Sequence, residues 1–163
     1  MRKQVTDFLK NTSHFEDSLK DTLQPYYLRP QSDRLGGFAT DMGTEAFYRR
    51  SQYDDLNLEV HPSNFKAPFD APQLKLSSLG VGTYMGEADD YTDYLMYDAI
   101  KTAVLSGGVN HIDTAPNYRY MKSEKTVGRI LTVLDNKYGV ARNQLFISSK
   151  AGYIAEDAEN MIS

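Results

Sequence analysis

The chain has no cysteine. That absence removes disulfides, thiolate nucleophiles and cysteine-ligated zinc together, and it leaves the redox compartment unmarked. Histidine is scarce: His14, His61 and His111 are the only imidazoles. They lie too far apart in sequence to suggest a ligand cluster, so no metal site is expected. No apolar run approaches the roughly 20 residues that a membrane-spanning helix requires, so no membrane span is expected either. Basic clusters are missing. Against 22 Asp and Glu stand 18 Lys and Arg, for a formal net charge of −4. That balance argues against a nucleic-acid partner, because phosphate contacts need gathered cations. The N-terminus carries Arg2, Lys3 and Lys10, but Asp7, Glu16, Asp17 and Asp21 dilute the charge a transit peptide needs, and a cytoplasmic location is expected. There is no internal repeat and no low-complexity tract.

What is present divides near residue 75. With 163 residues, 40% of them hydrophobic, the chain suffices for one modest domain or part of one. Residues 1–75 read as an N-terminal extension. "VTDFLKNTSHFEDSLKDTL" places Phe8, Leu9, Phe15, Leu19 and Leu23 at helical intervals, and Ser13 with Glu16 can form a capping box, which predicts one or two short helices. Beyond it, turn residues, scattered aromatics and Pro62, Pro68 and Pro72 occur without sustained periodicity. This stretch reads as irregular chain draped over the rest, with Phe38, Phe47, Tyr48, Phe65 and Phe69 available to cover apolar surface.

From Leu76 the pattern is regular. "LSSLGVGTY" reads as a buried strand. "YTDYLMYDAIKTAVLSGG" reads as a helix with Leu95, Met96, Ala99, Ile100, Ala103 and Val104 on one face and a stop at Gly107 and Gly108. "VNHID" is a second strand. "SEKTVGRILTVLDNKYG" is a second helix, with Ser123 as candidate N-cap, Glu124 in its first turn, an apolar face of Val127, Ile130, Leu131 and Leu134, and Gly139 as its stop. "NQLFISSK" is a third strand. Strands alternating with crossover helices imply parallel pairing in an α/β fold.

Two α/β architectures compete. A doubly wound dinucleotide-binding sheet wants G-x-G-x-x-G opening into a helix, but "GVGTYMG" spaces its third glycine one residue too far. The acidic "EADD" that follows would also repel a pyrophosphate. A (β/α)8 barrel instead carries its chemistry at the C-terminal ends of its strands. Asp113 ends the second strand, Tyr118 lies in the loop after it, and Lys150 ends the third, so ionisable groups converge on one face. A phenol with a pKa of about 10 donates protons poorly at neutral pH; a neighbouring ammonium improves it, and a carboxylate fixes that ammonium. Strand alternation puts Asp113 on the side of Val109 and His111, Lys150 on the side of Phe146 and Ser148, and Ile112 toward the helices. His111 reads as interior filling rather than a base, and Gly82 as a close-packing glycine.

"LGVGTY", "VNHIDTAPNY", "SEKTVGRIL" and "LFISSKAGY", in this order and spacing between about Leu76 and Tyr153, resemble the aldo-keto reductases. The resemblance implies a TIM barrel that uses NADPH to reduce a small-molecule carbonyl substrate, an aldehyde or ketone. It implies Asp113, Tyr118 and Lys150 as three of four catalytic residues, with Tyr118 the proton donor, and places Gly82, Thr83, Tyr84 and Asp113 near the cofactor. The family commonly has glycines between its tyrosine and the Ser-Glu pair, whereas this chain has "RYMK". The family's fourth catalytic residue, a histidine after the fourth strand, has no counterpart before Ser163. Eight strand-helix units need about 250 residues. The expectation is therefore residues 76–163 as the N-terminal part of a truncated barrel, about its first three strands, preceded by an irregular or helical extension. Such a chain is either a fragment of a longer reductase or a shortened relative serving as a structural or interaction subunit. By itself it is expected to bind NADPH weakly or not at all, with a protein partner covering the open barrel edge.

Overall fold

A computed structural model of the protein describes residues 35–53 and 60–153. The helices foreseen between residues 5 and 23 lie outside this set, as does His14.

Local sequence signals account for the helix ends. Helix α1 (Asp41–Tyr53) follows Thr40, whose hydroxyl accepts the Gly43 N–H at 3.0 Å. Helix α2 (Asp90–Leu105) begins at Asp89, whose carboxylate accepts the Thr92 N–H, and Asp90 and Asp93 complement the dipole in its first turn. It ends at Ser106, followed by Gly107 at φ 73°. Helix α3 (Lys122–Tyr138) ends where left-handed Gly139 lets the Val140 N–H return to the Leu134 carbonyl at 3.0 Å.

Two expectations about these helices are corrected. Ser123 is not the N-cap of α3. It lies inside the helix, and the cap position is Met121 at φ 68°, because the preceding residues already turn in the left-handed region. The buried face of α2 is Asp93, Tyr97, Ile100 and Val104, with Leu95 and Ala99 exposed. The stripe is rotated because a buried ion pair holds Asp93 inward.

Three strands form a parallel sheet in the order β3 (Val81–Gly82), β4 (His111–Asp113), β5 (Phe146–Ser148). Gly82 registers with Asp113 and Asp113 with Ser148. Ile112 points the other way and is fully buried, in a cluster with Ile100, Val104, Val127, Ile130, Leu134 and Leu145. Helices α2 and α3 pack against each other over this face.

The single strand expected from Leu76 is instead two. Leu76–Ser77 forms β2, paired antiparallel with β1 (Phe65–Lys66), before the chain enters β3. The cause is Asn110. Its side-chain carbonyl accepts the Ser77 N–H at 2.8 Å, its amide donates to the Lys75 carbonyl at 2.8 Å, and its own N–H reaches the Ser77 hydroxyl at 3.0 Å. Gly80 then passes close to His111, where an added Cβ would lie 3.1 Å from the imidazole and 3.2 Å from the carbonyl oxygen.

The stretch read as irregular thus contains α1 and the first strand of a hairpin. Helix α1 was hidden because two of its buried positions, Thr44 and Ser51, are polar and break the apolar period around Phe47. It docks where the strands begin: Thr40 N–H donates to the Asn143 carbonyl at 3.0 Å, and Thr44 Oγ1 accepts the Lys75 N–H at 3.1 Å. Phe65 is buried among Phe47 and Tyr48, with ring centroids 6.2 and 5.3 Å away. Phe38 and Phe69, expected to share in that cover, are exposed. No described helix is long and apolar enough to cross a membrane.

Candidate functional site

The polar groups gather at the opposite end, where the parallel strands finish. A β-strand alternates its side chains, so registered Gly82, Asp113 and Ser148 share the face away from α2 and α3. Asp113 holds the centre. Its carboxylate accepts Lys150 Nζ at 2.9 Å and 2.8 Å, one contact to each oxygen, and the Ser148 hydroxyl at 2.8 Å. The Lys150 ammonium also donates to the Thr114 carbonyl at 3.0 Å and sits 4.7 Å over the centroid of the Tyr118 ring. Tyr84 packs edge-on against Tyr118 at 5.1 Å.

This pairing fixes charge. The Lys150 hydrogen bonds hold Asp113 below the usual carboxylate range against the opposing pull of burial, and Ser148 adds to the effect. Lys150 is raised above the ordinary lysine value, by Asp113 first and the Tyr118 hydroxyl next. Both side chains remain partly open to solvent. His111, one layer below, brings Nε2 to 3.3 Å from the Ser148 hydroxyl and sets its ring edge-on to Phe146.

The loop bearing Tyr118 is tightly specified. Tyr118 N–H donates to the Ala115 carbonyl at 3.1 Å, and Met121 N–H to the Pro116 carbonyl at 3.0 Å. Arg119, Tyr120 and Met121 then take φ values of 52°, 53° and 68°, a run of left-handed residues without a glycine. Each costs roughly 1–2 kcal/mol of local strain. The run is anchored by Arg119, which is buried, ion-paired to buried Asp93 of α2 and bonded through Nε to the Glu87 carbonyl at 3.0 Å. Lys122 reaches the same Asp93 at 3.2 Å and Asp90 at 3.0 Å. The start of α3 clasps the neighbouring strand ends: the Ser123 hydroxyl donates to the Thr83 carbonyl at 2.7 Å, and Glu124 accepts from the Ser149 hydroxyl.

A family model described as the aldo/keto reductase family matches residues 78–163, just over half of the chain and the part that carries these strand ends. The chain belongs to the aldo/keto reductase family. Searches of curated proteins and of solved structures return no match. Membership points to an oxidoreductase of a family that generally uses NAD(P)H.

Within that family frame, the residues read from sequence separate by position. Asp113, Tyr118 and Lys150 are together. Tyr84 flanks them, 64% exposed. Thr83 is fully buried behind the strand, and its N–H and hydroxyl both donate to the Asp113 carbonyl at 3.0 Å, so it supports Asp113 from behind. Gly82 is not the close-packed glycine expected: a Cβ there would meet nothing within 4 Å, because its face opens onto the space before Asp113. Two groups escaped the sequence reading. Ser148 sat unremarked as a ligand of Asp113, though registering the strand ends would have found it. The Arg119–Asp93 pair spans separate elements, and no local pattern marks it. Among the described residues no group of His, Asp and Glu is arranged to hold a metal ion.

Proposed function

We propose that the three parallel strands open a (β/α)8 barrel which reduces an aldehyde or ketone to an alcohol with NADPH. One observation carries the reading: a carboxylate-bound ammonium lies over the phenol ring of Tyr118 at the C-terminal ends of parallel strands. The surroundings fit a flat cofactor ring, since Gly82 leaves the space before Asp113 open and Tyr84 offers an exposed aromatic wall. Gly82, Tyr84 and Asp113, with Thr83 behind them, would hold that end. When bound, NADPH supplies hydride to the carbonyl carbon.

The chain's own residues manage the proton. Tyr118 gives its phenolic proton to the carbonyl oxygen as negative charge builds there. Its O–H bond breaks, the alcohol O–H forms, and the phenolate left behind faces the Lys150 ammonium. Asp113 keeps that ammonium in place and charged. Solvent then returns a proton to Tyr118.

Replacing Tyr118 by Phe in the full-length protein removes the proton and keeps the ring. The expected result is a fall in kcat of about 10²–10⁴-fold with NADPH affinity retained. Reduction at the wild-type rate would sink the assignment.

A second reading has its own support. Among the described residues, β3 and β5 each have a strand neighbour on one side only, which leaves backbone groups for a partner to pair. A catalytically silent interaction subunit would use those edges. Calorimetry of the full-length protein with NADPH alongside sedimentation separates the two: binding by a monomer supports the enzyme, and a cofactor-free assembly supports the subunit.

A further inference from the structure

Arg119 is an unusual residue to bury. It follows Tyr118 directly in a loop at the open end of the sheet, where an arginine would ordinarily lie in water. Its side chain is instead 1% exposed, and its partner Asp93 is 2% exposed. Neither belongs to the apolar cluster between the helices and the sheet. Burying this pair is weak evidence of a stabilising role, because the desolvation of two charges opposes their attraction. The backbone beside it is equally unusual. Three successive residues other than glycine turn left-handed, an arrangement that persists only where surrounding contacts over-determine it and that gathers at functional sites.

The two oddities have one explanation. We infer that Arg119 and Asp93 are a positioning pair that aims Tyr118, by holding the 119–121 backbone in its left-handed turn against the first turn of α2. The inference rests on the reading of Tyr118 as proton donor. The backbone of Tyr118 is pinned on both sides of its Cα: its N–H goes to the Ala115 carbonyl, and its carbonyl accepts the Ser123 N–H at 3.4 Å. The Tyr118–Arg119 peptide is held through that carbonyl only while the left-handed 119–121 turn keeps Ser123 in reach. Guanidinium geometry suits the task, since the planar fork reaches the Asp93 carboxylate and the Glu87 carbonyl at once. A lysine here would keep the charge but donate from a single nitrogen, without the fork's separated, fixed N–H directions. Lys122 and Arg129 also approach Asp93, at 3.2 and 3.7 Å, on the carboxylate oxygen that Arg119 leaves free, and so fix its orientation. Misplacing a catalytic group by about 1 Å costs on the order of 10²-fold in rate, so a lock remote from the reacting atoms acts on kcat.

The test uses the full-length protein with ring-labelled tyrosine, the Tyr118 signal being assigned by its loss in Tyr118→Phe. Arg119→Ala and Asp93→Asn are expected to shift and broaden the Tyr118 ring signals while those of Tyr48, beside the hairpin, stay in place. The same variants should lower kcat for carbonyl reduction by about 10–100-fold and leave the KM for NADPH unchanged. If Arg119→Ala does not fold, Arg119→Lys gives the same readout, since it keeps the charge facing Asp93 and loses the fork. An unshifted Tyr118 ring in a folded variant overturns the inference, and so does a shifted ring with unchanged kcat. A change confined to thermal stability would show a structural pair and no more. Full activity in Tyr118→Phe would instead remove the proton-donor reading, and the ring signals would still decide whether Arg119 aims Tyr118.

Discussion

Asp113 is where most of the site's electrostatics meet, and it carries a testable pH dependence. Its folded pKa lies below the ordinary carboxylate value, chiefly because of Lys150. The stability it contributes is therefore present at neutral pH and is lost as pH falls from about 4 through the lower folded value. Lys150 is shifted upward, so its contribution is lost only above about pH 10. The pair should be constant between those limits. Melting the wild type and Asp113→Asn from about pH 2 to about pH 7 should show a wild-type advantage at neutral pH that shrinks below about pH 4. A gap that widened in acid would mean Asp113 is not held as an anion. Asp113, Tyr118 and Lys150 were legible in the sequence because strand ends and ionisable residues coincide. Arg119 was not, since its partner Asp93 lies on α2, 26 residues earlier, and only the folded chain brings them together.

At the scale of elements, legibility followed chemical type. Helix α3 announces itself because Val127, Ile130, Leu131 and Leu134 are all apolar at helical spacing. Helix α1 does not, because Thr44 and Ser51 occupy core-facing positions on it. The start of α3 was misread for a related reason: a serine near a helix start can cap it, yet Ser123 spends its hydroxyl on the Thr83 carbonyl. Two helical glycines give opposite predictions. Gly128 in α3 has nothing within 4 Å of an added Cβ and ordinary helical dihedrals. Gly128→Ala should stabilise the protein by about 0.5–1 kcal/mol, the entropy glycine forfeits in a helix. Gly43 in α1 would place a Cβ 2.2 Å from the Asn143 carbonyl oxygen, a backbone atom that cannot step aside. Gly43→Ala gains the same propensity and should still destabilise, since overpacking costs about 1–3 kcal/mol. Urea denaturation of the two variants checks the signs; equal signs would refute the account of α1 docking.

For the molecule as described, the decisive feature is the division between two ends of one sheet. The parallel order was readable from alternating strands and helices, but the hairpin was not, because Leu76–Ser77 runs on into Val81 without an obvious break. Asn110 creates that break and ties the hairpin to the start of β4. Asn110→Ala would leave the Ser77 N–H and the Lys75 carbonyl without these partners, at a cost of about 1–3 kcal/mol for each buried group left unpaired. The midpoint of thermal unfolding should fall while kcat at room temperature holds, because Asn110 lies at the far end from Tyr118. Loss of kcat in a folded variant would show that the ends are coupled. The open end has a different character. Met85 and Tyr120 stand 74% and 52% exposed and contribute little to the buried core. Evolution can exchange such side chains freely, so a lineage built on this scaffold can acquire new preferences by drift at the rim while the architecture it inherited stays intact.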